Sequence, residues 1–70
     1  MQLRRGDSLA LPDRLSRFVL VSGGLRIDRA DAPPETVLAS GGPVDVALPP
    51  GASWDLHALS DSALVLYTER

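Results

Sequence analysis

The stretch Val44-Asp45-Val46-Ala47-Leu48-Pro49-Pro50-Gly51-Ala52-Ser53-Trp54-Asp55-Leu56-His57-Ala58 decides the fold class of this chain. Apolar residues recur at every second position on both sides of Pro49-Pro50-Gly51. Val44, Val46 and Leu48 come before it, and Trp54, Leu56 and Ala58 after it. Successive side chains of an extended strand point to opposite faces, so each apolar set shares one face and Asp45, Asp55 and His57 take the other. Pro-Pro-Gly between them reads as a turn. The stretch predicts two short strands, each buried on one side.

The same period extends in both directions. Leu9 and Leu11 share a face of Ser8 to Leu11, and Leu25 and Ile27 lie opposite Arg26 and Asp28 in Leu25 to Arg29. Glu35 to Ala39 is short and β-branched in its middle, and Ala63 to Thr68 is an apolar closing strand. Arg17 to Ser22 is apolar at both parities through Phe18, Val19, Leu20 and Val21, which reads as a central strand buried on both sides. Leu15 and Phe18 stand three apart, so Asp13 to Phe18 reads as a single helical turn before that strand. Gly6-Asp7, Pro12-Asp13, Gly23-Gly24, Pro33-Pro34, Gly41-Gly42 and Ser60-Asp61-Ser62 read as further turns, the paired glycines as hairpin turns with positive φ. Turns at intervals of about 8–10 residues are the rhythm of a sandwich or barrel. The expected fold is all-β, a small antiparallel β-barrel or jelly-roll sandwich of about eight short strands, in one domain spanning 1–70. Leu9, Leu11, Leu20, Leu25, Ile27, Val44, Val46, Leu56 and Leu66 are its expected core.

An internal echo fits two similar halves. Leu3-x-x-Gly6-x-x-Leu9-x-Leu11 returns 35 residues later as Leu38-x-x-Gly41-x-x-Val44-x-Val46, and the same shift places Val19 and Val21 on Trp54 and Leu56. A double Greek key has that form.

Composition sets the function classes. Seventy residues without cysteine exclude a disulfide framework and a thiolate nucleophile, and a domain this small leans on tight packing or oligomerisation. The longest apolar run, Ala63 to Tyr67, is far short of the roughly 20 residues of a membrane span. The basic start Met1-Gln2-Leu3-Arg4-Arg5 has no apolar run behind it, so a cytoplasmic protein without membrane contact is expected. Seven Arg, no Lys and a net charge of −2 leave no basic patch, which argues against nucleic acid as a partner.

Leu3-x-x-Gly6, Val19-x-Val21-Ser22-Gly23, Leu25-x-Ile27, Leu38-x-x-Gly41, Leu48-Pro49-x-Gly51 and Trp54-x-Leu56-x-Ala58-Leu59 together resemble a group of short bacterial cupin-like proteins, a domain family of unknown function. The resemblance covers nearly the whole chain and implies a small β-barrel. It carries no activity over. One departure is Arg26, where the family pattern tends to have a Trp. Cupins at large hold a metal through several His and a Glu. Here His57 is the single imidazole, and only Arg26, Asp28, Asp31 and Glu35 stand where the first ligands would lie, so neither metal nor other cofactor is expected.

The candidate constellations are few. Ser53, Asp55 and His57 share a face and contain the residue types of a nucleophile, an acid and a base. Positions two apart on a strand are separated by about 6.6 Å, however, too far for the hydrogen bonds a triad requires. A polar face opposite Trp54 and Leu56 is the reading adopted. Arg5-Gly6-Asp7 reads as a turn with charged flanks. Arg26 and Asp28 make either a solvated outer face or the polar mouth of a pocket that takes a small anion. Trp54 is in phase with the core, with a subunit interface as its alternative role. Arg26, Asp28, Trp54 and His57 are therefore the candidate ligand-binding residues, and no catalytic residue is assigned. The leading expectation is a non-catalytic, protein-binding or accessory module that forms a homodimer through the edge at Ala63 to Thr68 or the face around Trp54. A small-ligand-binding barrel is the alternative, and a metal-independent hydrolase or isomerase comes third.

Overall fold

The computed structural model describes residues 1–11, 15–30, 32–48 and 53–68. The turns read at Pro12-Asp13 and Pro49-Pro50-Gly51, and the start of the helical turn at Asp13, lie outside them. Among the described residues there are eight strands: β1 (Gln2–Leu3), β2 (Ser8–Ala10), β3 (Leu15–Ser22), β4 (Gly24–Arg29), β5 (Ala32–Leu38), β6 (Val44–Ala47), β7 (Trp54–Ala58) and β8 (Ser62–Thr68). They form two antiparallel four-stranded sheets, the first in the order β1-β8-β3-β6 and the second in the order β2-β7-β4-β5. No ladder joins the two sheets among the described residues, so the barrel alternative is corrected to a pair of separate sheets. The Cα radius of gyration is 11.1 Å, matching the about 11 Å of a compact chain of this length.

The core lies between the sheets. Phe18, Leu20 and Leu64 from the first, and Leu25, Ile27 and Leu56 from the second, are at most 1% exposed. Leu3, Leu48, Trp54 and Ala58 complete it, and Leu9, Leu11, Val37, Val46 and Leu66 pack around its rim. Four of the nine expected core residues are thus at the centre, four at the rim, and Val44 is half-buried outside the cluster. Phe18 and Leu64 also belong to the centre; both lie in segments that are apolar at both parities, where alternation does not separate an inner from an outer face.

Several sequence readings are corrected. β3 is central in its sheet but buried on one face only: Phe18 and Leu20 point inward, whereas Val21 is 43% exposed, because no described element covers the outer face. Val21 also sits at a register shift, where β3 has one residue more than β8 between Leu20 and Ser22. Leu15 to Phe18 is strand, not a helical turn. Pro33-Pro34 lies within β5, which is an edge strand where missing N–H groups are tolerated, and a second register shift falls there. Gly23 and Gly42 do have positive φ, at 91° and 127°. They serve connections between the sheets and not hairpins, since β3 and β4, like β5 and β6, belong to different sheets. The turn at Arg5-Gly6 is present, with Gly6 at φ 89° and its N–H donating to the Ala58 carbonyl at 2.9 Å.

The internal echo carries β1, β2 and β3 onto β5, β6 and β7, each time into the other sheet. Its register at β3 and β7 is corrected from 35 to 36 residues, because inward-facing Phe18 and Leu20 correspond to Trp54 and Leu56.

Ser62, read as turn, is instead the first residue of β8 and, among the described residues, the one buried polar residue, at the seam between sheets. Its Oγ accepts from the Gly24 N–H at 3.2 Å, and its hydroxyl faces the carbonyl oxygens of Ser60 at 2.9 Å and Gly24 at 3.1 Å. Ser62→Ala leaves that buried N–H without its partner and is expected to destabilise the fold by about 1–3 kcal/mol. Urea denaturation measures it, and an unchanged midpoint would show that the hydroxyl is dispensable.

Candidate functional site

Asp7, Leu9 and Leu11 direct their backbone groups toward β7. The Ala58 N–H donates to the Asp7 carbonyl and the Leu11 N–H to the Trp54 carbonyl, both at 2.9 Å, and Leu9 lies opposite Leu56 between them. Ser8 and His57 are therefore a non-hydrogen-bonded pair in this ladder, the kind whose side chains stand closest. On the other side of β7, His57 is opposite Arg26, and Asp28 is opposite Asp55. Because Leu25, Ile27 and Leu56 face the core, Ser8, His57, Arg26 and Asp28 all emerge on the outer face of the second sheet.

There they touch. The Ser8 Oγ lies 2.8 Å from His57 Nδ1, and His57 Nε2 lies 2.7 Å from Asp28 Oδ2. The same Asp28 oxygen accepts from the Arg26 guanidinium at 3.1 Å. The His57 and Asp28 side chains are about two-thirds buried, at 34% and 30% exposure. Asp28 as a carboxylate can only accept, which assigns the proton of a neutral His57 to Nε2 and leaves Nδ1 to accept from the Ser8 hydroxyl. The result is a chain of nucleophile, base and orienting acid, each link within the distance such a relay requires.

Three of the four sequence candidates, Arg26, Asp28 and His57, are thus brought together on an outer face. Trp54 is not among them: it faces the core, 7% exposed, and its Nε1 has no hydrogen-bond partner among the described residues. The Arg29 guanidinium stacks 4.8 Å from the centre of the Trp54 ring and reaches Glu35 at 3.4 Å, closing that end of the core. Burial in its own core removes Trp54 as the subunit contact. Ser53 and Asp55 are exposed, as the polar-face reading expects, while the hydroxyl that meets His57 is that of Ser8. Ser8 was missed because only the order of the strands places it beside β7. Its one signal was being the polar residue out of phase with Leu9 and Leu11.

Among the described residues, no three His, Cys, Asp or Glu side chains converge as a metal site. A pocket of about 260 Å³ lies elsewhere, lined by Gln2, Arg4, Ser22, Asp61 and Ala63 among others. No described helix is long and apolar enough to cross a membrane. No protein-family model, curated protein or solved structure matches the chain.

Proposed function

We propose that the chain is a cupin-like jelly-roll domain that works as a protein-binding module, with a second copy of itself as its first partner. The fold reading is supported by the nested pairing of the strands: β1 with β8, β2 with β7, β3 with β6 and β4 with β5. Two interleaved Greek keys produce that order. The binding reading follows from where apolar surface is left. Large side chains fill the space between the sheets, so a partner must be met outside.

The observation that carries the proposal is the outer face of the first sheet. Val21 and Val65 are each 43% exposed and Tyr67 40%, and Val19 stands directly opposite Val65. Arg17 flanks this strip, stacked 4.4 Å from the centre of the Tyr67 ring and 3.1 Å from Asp45, with both ion-pair side chains about half exposed. A two-fold copy laid across the strip would bury the valines and offer each Arg17 an Asp45 from the other chain, a self-complementary contact with a polar rim. The proposed contact is thus moved from the edge of β8 to its outer face. β1 already pairs the start of that edge, with Gln2 opposite Ala63 and Leu3 opposite Ser62.

Sedimentation at micromolar concentration tests this. The expected particle has twice the 7.4 kDa chain mass, and Val65→Lys returns it to a single chain with an unchanged far-ultraviolet circular dichroism spectrum. A native single chain, or a Val65→Lys variant that remains paired, overturns the proposal.

A further inference from the structure

We propose that Ser8 is an activated nucleophile that accepts an acyl group from thioesters or activated esters, making the outer face of the second sheet an acyl-acceptor site. The site is separate from the apolar strip of the first sheet and stands whether or not the chain pairs with a copy of itself.

A serine hydroxyl attacks a carbonyl only when a base can take its proton as the new bond forms. His57 Nδ1 is in place at 2.8 Å, and Asp28 at 2.7 Å from Nε2 orients the ring and stabilises the imidazolium that forms. Arg26 holds the same carboxylate oxygen at 3.1 Å, so the acid is itself anchored. All four side chains stand on strands and not on loops, and backbone ladders set their spacing. Ser8 lies on an exposed edge strand, open to reagent. Its N–H alternates with that of Leu9 and points to the side of β2 where no described strand pairs, which leaves a backbone donor beside its own Oγ for the developing oxyanion.

With a thioester donor the step balances without a further reactant. The Ser8 Oγ bonds to the carbonyl carbon and its proton passes to His57 Nδ1. The carbon–sulfur bond then breaks, and the proton leaves with the thiolate as a thiol. The product is an ester on Ser8. One backbone donor and an open, wet face are far less than a hydrolase provides for attack by water on that ester. The acyl group therefore accumulates to one per chain instead of turning over, and Ser8 is a modification site on a binding module.

The bland explanation of the same contacts is a polar cross-strand ladder, and chemistry separates the two. Purified protein is incubated with p-nitrophenyl acetate and followed by intact mass and peptide mapping. One acetyl group per chain is expected, on Ser8, with the exposed Ser53 as internal control. His57→Gln should slow the labelling by about a hundredfold or more, the usual contribution of a general base. Asp28→Asn, which removes the orienting carboxylate, should slow it by a smaller factor. Retained circular dichroism and melting temperature show that each variant is folded. Labelling of Ser8 no faster than Ser53, a rate unaffected by His57→Gln, or an acetyl group that stays on His57 or the Met1 amine overturns the proposal.

Discussion

Phe18→Ala is expected to remove about 3–5 kcal/mol of stability, the cost of emptying a large aromatic site in a core that cannot collapse around it. The ring is completely buried in β3, opposite Val46 of β6 and Leu66 of β8, and it faces the second sheet across the core. A domain of this size has about 4–10 kcal/mol in total. The variant should therefore lose a third or more of that and shift its urea midpoint accordingly. Val21→Ala, three residues along the same strand, is the matched control. Its side chain is exposed on the outer face of the single chain, so with both substitutions made on the unpaired Val65→Lys background a change within about 0.5 kcal/mol is expected. Similar losses at the two positions would mean that β3 is buried on both faces after all.

Gly23→Ala is expected to be comparably damaging, for a different reason. At φ 91° an L-residue is strained by about 1–2 kcal/mol. In addition, the new Cβ would collide with the Asp61 carbonyl oxygen and the Ser62 Oγ and come within 2.8 Å of the Ser62 Cα. Two of these three atoms are backbone and cannot swing aside as a side chain would. Ser62 must move, and the Gly24 N–H loses its buried acceptor, adding about 1–3 kcal/mol. Gly6→Ala isolates the first part, because Gly6 has nearly the same φ, at 89°, with no atom of the described residues within 4 Å of a Cβ. Thermal or urea denaturation should rank Gly23→Ala well below Gly6→Ala. Equal losses would show that the packing of β4 against the β7–β8 turn tolerates a methyl group.

The two outer faces differ in what they offer, and the difference follows from composition. On the first sheet the outward positions of β3 and β8 include Val19, Val21, Val65 and Tyr67, residues that gain from being covered, with Arg17 stacked on Tyr67 at their flank. On the second, the outward polar positions of β2, β4 and β7 are Ser8, Arg26, Asp28, Asp55 and His57, and all of these but the exposed Asp55 are joined to one another by hydrogen bonds or ion pairs. A second copy bound on the first sheet, as proposed, would leave the second sheet uncovered.

Alternation in the sequence was enough to identify strands and, where apolar and polar residues strictly alternate, to identify their inward faces. That is why Leu25, Ile27, Trp54 and Leu56 are buried as expected, and why Arg26, Asp28 and His57 are on the outside. It failed at Phe18-Val19-Leu20-Val21, where both parities are apolar. Which pair is inside there depends on whether a second layer covers the strand, and only the first sheet's open outer face answers that. Glycines could likewise be read as positions of unusual φ, but not as links between sheets, because φ is a local property and the destination of the next strand is not. The polar relay shows the same division. The sequence supplied a histidine flanked by Ser53 and Asp55 on its own strand, separated from it by about 6.6 Å along the axis. The partners His57 actually meets, Ser8 and Asp28, come from the strands on either side. Neighbouring strands lie only about 4.8 Å apart, so contacts across a sheet are closer than same-face contacts along a strand. Side-chain alternation is imposed by the backbone of each strand alone, whereas the neighbours of a strand are chosen by closure of the whole chain around one core.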